Sequence, residues 1–310
     1  MPWKQDYTYS DERTIDDDEI RWPDGRCCVT VVVDLSLARG PQGVVAADVA
    51  NDRAVFGLGE GLDRVLAILA RNRLKATFAV PAVMVSTYGS RLGEIGAGGH
   101  EIAVQGYAHE DVTDLSPDEE ARRIGLATEI VADAIGRAPT GWYSLPRPSD
   151  RFAGGAVSPN TFRLLDEAGY RYMGNGLSDD IPHYWVYDAE QPGWLLTMPY
   201  YYHFDDQFFL MFPSRGTGLE HADALATNWR AEFDAQYARG RSFSMVLHPH
   251  AVGWCNRFGL LEQFLASVAE HDIWNPTADQ CAEYWLATYP ASQYLRLAPS
   301  IWQDHEGSLS

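Results

Sequence analysis

The sequence lacks any apolar run of the roughly 18 residues that a membrane-spanning helix needs. It has four cysteines in 310 residues and no Cys-X-X-Cys pair, so no disulfide framework is indicated and a reducing compartment is expected. The acidic first twenty residues contain no apolar stretch of the kind found in a secretory signal. Together these absences predict a cytoplasmic protein with no membrane partner.

Positive charge is also scarce. The chain carries 24 lysines and arginines against 43 aspartates and glutamates, a formal net charge of −19. Because nucleic acid and anionic membranes repel such a chain, neither is an expected partner, and a small-molecule substrate is. The acidity also has the ordinary interpretation of solubility. A hydrophobic fraction of 46% with 22% charged residues is typical of a globular protein.

The chain reads as one unit. Residues 1–20 are polar and acidic and are predicted to form an arm that wraps the surface or partly frays. Residues 21–310 show no repeat, no low-complexity tract and no linker composition, so a single domain is expected there. This length suits one α/β barrel.

The first clear element is the apolar, β-branched run from Cys27 to Asp34, which is typical of a strand buried in a parallel sheet. In that context Cys27 and Cys28 are expected to be small buried hydrophobic residues. Residues 39–61 have no clear period and predict a long loop. Residues 62–72 then carry apolar side chains at helical spacing.

Strands and helices alternate through the rest of the chain. Further strands are predicted at 75–80, 100–104, 140–143, 170–173, 194–198 and 242–248, and helices after Ser116, after Ser158, at 219–239, at 257–270 and after Thr277. Such alternation predicts a parallel sheet, either open or closed.

In folds of this kind the reactive groups lie at the carboxyl ends of the strands. Five or six predicted strand ends carry ionisable, polar or aromatic side chains: Asp34, Gln105, His109, Trp142, Tyr143, Arg147, Asp179, Asp180, Tyr201, His203, Asp205, Asp206, His248 and His250. Each alone has a structural interpretation, since such aspartates often cap helices, lone histidines are often structural and aromatics are usually buried. Their convergence on one edge of the sheet predicts a site.

The order of these strand ends resembles the polysaccharide deacetylase (NodB-homology) family. VTVVVDLS at 29–36, GHEIAVQGYAHEDVTDLS at 99–116 and SMVLHPH at 244–250 are similar to its first, second and last motifs, and APTGWYS at 138–144 matches the region between. The resemblance implies an α/β fold, a deformed (β/α)7-type barrel. It is nearest to a branch of cofactor-independent allantoinases, cyclic imide hydrolases and intracellular peptidoglycan-deacetylase-like proteins, which implies a homo-oligomer.

Two residues depart from the family pattern. Val32 stands where the family has its first aspartate, the catalytic base, and Gln105 stands where it has its first metal-binding histidine. Asp34 and His109 match the two remaining metal positions. Zinc sites use strong nitrogen, sulfur or carboxylate donors, and a neutral amide oxygen is a poor substitute. We therefore expect either no cofactor or a weakly held divalent metal such as zinc on Asp34, Gln105 and His109.

The resemblance implies hydrolysis of an amide, which needs a base, an acid and a group that stabilises the oxyanion. Without a metal, Asp34 would act as the base and His109 would orient or activate the water. The resemblance makes His248 the acid. Arg147, or the backbone after Gln105, would hold the oxyanion.

The remaining strand-end groups are predicted to contact the substrate: Gln105, Trp142, Tyr143, Asp179, Asp180, Tyr201, His203 and His250. An imide or ureide carbonyl is more electrophilic than an acetamide and tolerates a weaker site. The favoured function is therefore a hydrolase of a carbon–nitrogen bond in a small cyclic amide, imide or ureide. The alternatives are a metal-dependent deacetylase of an N-acetylated sugar or N-acyl metabolite, and a catalytically inactive binding or scaffold protein.

Overall fold

The computed structural model describes residues 7–9, 15–150, 155–188, 193–211, 222–295 and 297–299. Its strands are β1 Tyr7–Tyr9, β2 Cys27–Asp34, β3 Thr77–Val80, β4 Glu101–Val104, β5 Gly141–Trp142, β6 Tyr172–Gly176, β7 His183–Asp188, β8 Gly193–Pro199, β9 Ser242–Leu247, β10 Ile273–Trp274 and β11 Leu297–Pro299. Its helices are α1 Ala46–Val49, α2 Asp52–Phe56, α3 Leu62–Asn72, α4 Val85–Tyr88, α5 Ser90–Ala97, α6 Pro117–Ile135, α7 Thr161–Glu167, α8 Asp206–Met211, α9 Ala222–Arg239, α10 Pro249–Val252, α11 Cys255–Ala269, α12 Ala278–Thr288 and α13 Ala291–Tyr294.

The main sheet runs in the order β9-β2-β3-β4-β5-β6-β8-β7, and β10 pairs with the start of β2. Every pairing in it is parallel except that of β7, which runs antiparallel to β8. The predicted α/β class with a central parallel sheet is therefore confirmed. Strand β7 was not predicted, because the sequence pattern was interpreted as strict alternation of strand and helix.

Strand β2 shows how the sheet sorts its side chains. All eight of its residues are buried, as its continuous apolar pattern predicts. Its odd-numbered residues join the core between the sheet and the outer helices, whereas Cys28 and Val32 join a second core together with Cys281 and Trp285 of α12. Because side chains alternate along a strand, Asp34 lies on the same face as Cys28 and Val32.

The prediction of a long loop at residues 39–61 was wrong, because this segment holds α1, α2 and one π-helical turn, Gly57–Gly61. Asn51 caps α2 by accepting a hydrogen bond from the Ala54 amide at 3.0 Å. A Cβ atom on Gly57 would lie 2.7 Å from Cβ of His250, so glycine permits the close approach of this turn to α10. The glycines that allow this packing also erase the helical period from the sequence.

Other predicted elements agree with the structure within a few residues. Ser116 and Thr277 cap α6 and α12, and Gln280 completes the capping box at Thr277. Cys27 and Cys28 are buried free thiols, as expected. Of the predicted arm, residues 1–6 and 10–14 lie outside the described part, and residues 7–9 pair with β11. In the described part, no helix combines the length and apolarity needed to cross a membrane.

A buried carboxyl group joins α12 to the sheet. Glu101, at the start of β4, accepts hydrogen bonds from the hydroxyls of Thr77 and Tyr172, both at 2.8 Å, and from the Asp279 amide at 2.9 Å. Burial raises the pKa of Glu101 from 4.5 to about 7, because loss of water penalises its charge more than these three donors favour it. Glu101 is therefore a source of pH-dependent stability.

We predict that Glu101→Gln flattens the dependence of stability on pH. The raised pKa means that the group stabilises the fold fully below pH 4.5, and that this contribution is lost as the pH rises through about 7. A shift of this size corresponds to at most about 3 kcal/mol. Thermal unfolding at about pH 5 and about pH 8 measures it. The exposed Glu129→Gln variant is the control, and an equal slope in the Glu101 variant and the wild type would contradict the prediction.

Candidate functional site

The pairing of β2 with β9 creates the centre of the site. Val33 lies opposite Leu247, so the next residues, Asp34 and His248, emerge side by side at the carboxyl ends of the two strands. Nε2 of His248 lies 3.2 Å from Oδ2 of Asp34. Gln105, which follows β4, donates from its amide nitrogen to the same oxygen at 3.1 Å. The three side chains are almost completely buried.

His248 is held from its other side by Asp206, the first residue of α8. Its Nδ1 donates to Oδ1 of Asp206 at 2.7 Å, and its backbone amide lies 3.0 Å from both carboxylate oxygens. Burial opposes a charge on this imidazole, but the negative charges of Asp205 and Asp206 outweigh burial and hold the pKa of His248 well above its usual value. These two carboxylates therefore favour the protonated, imidazolium form of His248.

The carboxyl group of Asp34 is the counterpart of this cation. Burial alone would raise its pKa, but the adjacent positively charged imidazole of His248 outweighs burial and lowers it. Its Oδ1 accepts a hydrogen bond from the Ser36 amide at 2.6 Å. Within the described part of the chain, Nε2 of His248 has no aligned hydrogen-bond acceptor despite its closeness to Asp34. The imidazolium thus presents one N–H group to the site.

His109 has a different environment from the one expected. Its Nε2 donates to the Leu145 carbonyl at 2.5 Å, so Nδ1 is the acceptor and takes hydrogen bonds from Ser36 Oγ at 2.7 Å and the Gln105 amide at 3.0 Å. Burial lowers the pKa of His109 and keeps it neutral. Both ring nitrogens are engaged with the protein. This geometry fixes the loop after β4 and does not support the predicted role in activating water.

Arg147 is likewise engaged with its own loop. Its guanidinium group binds Asp150 through two nitrogens at 2.8 and 3.0 Å, and Nη1 donates to the His109 carbonyl at 3.2 Å. Only 1% of its surface is exposed. These bonds direct the group to the backbone around His109, so the geometry does not support the oxyanion-binding role expected from the sequence.

Asp179 and Asp180, predicted to contact the substrate, lie at the other end of the sheet. Both form ion pairs with Arg241, and Asp179 is 2.7 Å from its Nη2. Arg241 precedes β9, whereas His248 follows it. The loop after β6 therefore returns to the amino end of β9, and the structure does not place these two carboxylates beside His248.

The predicted aromatic contacts are also dispersed. Trp142 packs in the core beneath the outer helices, and Tyr143 stands edge-on to Tyr172 at a centroid distance of 6.0 Å. The Tyr201 hydroxyl donates to the Asp180 carbonyl at 3.2 Å. The structure therefore does not bring these rings together around His248.

The histidines of the predicted set differ in outcome. The ring of His250 is buried and lies 5.6 Å from that of His248 between centroids, so it belongs to the site. The side chain of His203 lies outside the described part of the structure. Gln105 and His250 are therefore the predicted substrate residues that the described structure places beside His248.

Two residues acquire roles that the sequence did not give them. Asp206 was visible as a strand-end acid, but nothing in the sequence links it to His248, 42 positions away. Ser36 follows Asp34 by two positions, the spacing at which an aspartate accepts from the backbone, and this signal would have revealed the contact.

A metal bound by Asp34, Gln105 and His109 does not fit this arrangement. A metal needs lone pairs that converge, but Gln105 turns its NH₂ group toward Asp34 and toward Nδ1 of His109. Its amide oxygen has no hydrogen-bond partner within the described residues. The positive ends of Gln105 and His248 occupy the space around Asp34 that a cation would need.

A second group, Asp205, Asp206 and His248, has ligand atoms within 4.8 Å of one another and is close enough to hold a metal. Nδ1 of His248 is hydrogen-bonded to Oδ1 of Asp206, so a metal would have to displace the proton that the two share. Asp205 already accepts hydrogen bonds from the Tyr200 hydroxyl and the Gln207 amide.

Comparison with known proteins agrees with the motif order. Residues 41–173 match the family described as Polysaccharide deacetylase. The matched segment, residues 41–173, therefore resembles a polysaccharide deacetylase domain. Among curated proteins it is similar to the peptidoglycan deacetylase of Helicobacter pylori, with 23% identity over 269 residues that cover 77% of this chain and 89% of that protein.

Solved structures show the same fold. A Mycobacterium smegmatis protein assigned to the polysaccharide deacetylases is 27% identical, with a TM-score of 0.73 over 86% of this chain and 93% of that one. The structure of Puue allantoinase is 21% identical, with a TM-score of 0.71 over 90% of this chain and 98% of that one. The predicted NodB-type architecture and family resemblance are confirmed.

We predict that Asp206→Asn lowers the pKa of His248 by about 1 to 3 units, because it removes the carboxylate that stabilises the imidazolium at contact distance. The ring chemical shifts of His248, followed by NMR across a pH titration, measure the change. Asp179→Asn is the matched control, because Asp179 pairs with Arg241 at the amino end of β9, and it should leave that titration unaltered. An unshifted His248 in the Asp206 variant would show that the Asp206 contact does not set the charge.

Proposed function

We propose that this protein hydrolyses a carbon–nitrogen bond in a small cyclic amide, imide or ureide, and that the reaction needs no bound metal. The observation that carries the proposal is the buried imidazolium of His248, fixed by Asp206 and presenting an unaligned Nε2–H beside Asp34. The match of residues 41–173 to a deacetylase family and the similarity to a peptidoglycan deacetylase support the reaction class.

His248 supplies the proton. Ring opening produces a nitrogen leaving group that must gain a proton, and a charged imidazole held in place is a suitable general acid. Asp206 fixes the ring and keeps it protonated, so the proton leaves from Nε2 alone. Nε2 lies 3.2 Å from Oδ2 of Asp34 without being aligned with it, so a substrate nitrogen competes with an ion pair and not with a well-formed hydrogen bond.

Asp34 is the base available to a water molecule. It is ionised, and the one hydrogen bond that Oδ1 accepts, from Ser36, leaves that oxygen a lone pair for water. The lowered pKa makes Asp34 a weak base, and efficient general bases have a pKa near the working pH. A weak base suits an imide or ureide, whose carbonyl is already electrophilic, better than an unactivated acetamide.

The second candidate function is metal-dependent deacetylation, which the grouping of Asp205, Asp206 and His248 favours. It requires His248 to lose the proton that Asp205 and Asp206 stabilise. The two functions differ in their response to a chelator, which makes them easy to separate.

We predict that the purified protein opens a hydantoin, allantoin or a cyclic imide, that EDTA does not inhibit it, and that His248→Asn lowers kcat about 10²- to 10⁴-fold. A gain of one water in mass on the ring substrate measures the reaction. Activity should fall as the pH rises through the raised pKa of His248, and Asp206→Asn should move that fall to lower pH.

His271→Asn is the matched control, since this histidine bonds to the Ser267 carbonyl on α11 and should leave turnover unchanged. Unfolding temperatures of both variants separate loss of the acid from loss of the fold. Release of acetate from N-acetylated sugars that EDTA abolishes would favour the second candidate function and overturn the proposal.

A further inference from the structure

A cationic side chain stands beside the site without a carboxylate partner. Arg53, on α2, is half-buried, and its Nη2 lies 3.3 Å from Oε1 of Gln207. The same nitrogen contacts Nε2 of His250. The ring of His250 is 5.6 Å from the ring of His248 between centroids. His250 therefore connects Arg53 directly to the catalytic centre proposed above.

The charge of Arg53 is unpaired within the described residues, where it forms no ion pair. This is unusual for the chain, because most of its buried or half-buried arginines are paired: Arg64, Arg91, Arg123, Arg147, Arg171 and Arg241. The carboxylates of Asp206 and Asp48 act on Arg53 without forming an ion pair with it, since Asp206 is bound to His248 and Asp48 accepts a hydrogen bond from the Val45 amide. The chain has a net charge of −19, so the absence of an ion pair at Arg53 does not reflect a shortage of acidic residues.

A second arginine reinforces this positive region. Arg39 lies on the segment that follows β2, five residues beyond Asp34, and is exposed. Burial and the charge of Arg39 lower the pKa of Arg53, so the two guanidinium groups act on each other. Two like charges near one another cost free energy unless an anion lies between them.

His250 adds a neutral surface to this region. An arginine can only donate, so Nε2 of His250 must accept and the ring is neutral with its proton on Nδ1. Burial and the charges of Arg53 and His248 keep the pKa of His250 well below its usual value. His250 therefore carries no positive charge with which to neutralise a bound anion. Its contact with Nη2 fixes the orientation of the Arg53 guanidinium group.

We propose that Arg53, assisted by Arg39, binds a carboxylate carried by the substrate, beside His250. The planar fork of a guanidinium group matches a carboxylate in geometry and charge. Such a contact would select ring substrates with an acidic substituent over neutral ones. The proposal rests on the proposed function only for the identity of the ring, because binding of the carboxylate needs no turnover.

We predict that the wild-type protein binds succinate, that it binds succinamide at least about 10-fold more weakly, and that Arg53→Gln weakens succinate binding about 10- to 100-fold. Arg39→Gln should have a smaller effect of the same sign. Isothermal titration calorimetry measures the affinities. Arg122→Gln is the control, since this exposed arginine pairs with Glu119 on α6. Equal affinity for succinate in the Arg53 variant and the wild type would overturn the proposal.

Kinetics separates this proposal from the proposed function. With hydantoin-5-acetate as substrate, Arg53→Gln should raise KM about 10- to 100-fold with little change in kcat, and the KM for hydantoin-5-acetamide should stay constant. Arg53→Lys should recover part of the loss. Arg53-dependent succinate binding without hydrolysis of any ring would sink the proposed function alone. Hydrolysis of both rings that Arg53→Gln leaves unchanged would sink this proposal alone.

Discussion

The candidate site depends on a buried cation at its centre, the side chain of His248. The imidazolium of His248 is 1% exposed, and burying a charge costs several kcal/mol unless opposite charges and hydrogen bonds compensate. Asp206 on one side and Asp34 on the other supply that compensation. Since the three residues come from β9, α8 and the end of β2, their attraction also fixes α8 against the sheet. Removing the charge of His248 would leave these two carboxylates buried without the cation between them.

The same constraint explains why this site can differ from the metal centre that the family motifs suggest. A carboxylate at the position of Asp34, inside the sheet, requires positive charge nearby. In this chain the NH₂ group of Gln105 and the Nε2–H group of His248 provide it. Gln105 stands where the family motif has a metal-binding histidine. Its side chain points a hydrogen-bond donor at Asp34, whereas a metal ligand would offer a lone pair. The charged His248 and the poor fit of a metal on Asp34, Gln105 and His109 are two consequences of one electrostatic balance.

The sequence predicted the parts of this balance that follow from strand periodicity. Asp34 and His248 follow β-branched or apolar runs, and alternation along each strand places both on the inner face. It could not predict Asp206, because its contact with His248 joins segments 42 residues apart through the position of α8. The sequence could not place Asp179 and Asp180 for a similar reason. A loop after a strand can return to the amino end of the sheet, where these two residues form ion pairs with Arg241. The helices within residues 39–61 were not predicted, because glycines that allow close packing between elements interrupt the helical pattern of apolar residues.

The charge of the whole chain and the charge near the site act at different ranges. A net charge of −19 repels an anionic ligand at a distance, but at physiological ionic strength such repulsion is screened beyond about 8 Å. Arg53 is half-buried, so a ligand in contact with it is screened far less. Charge counted over the sequence therefore bears on solubility and on nucleic acid or membrane partners, whereas substrate charge is decided by the few groups within contact distance. For that reason an acidic protein can still prefer an acidic substrate.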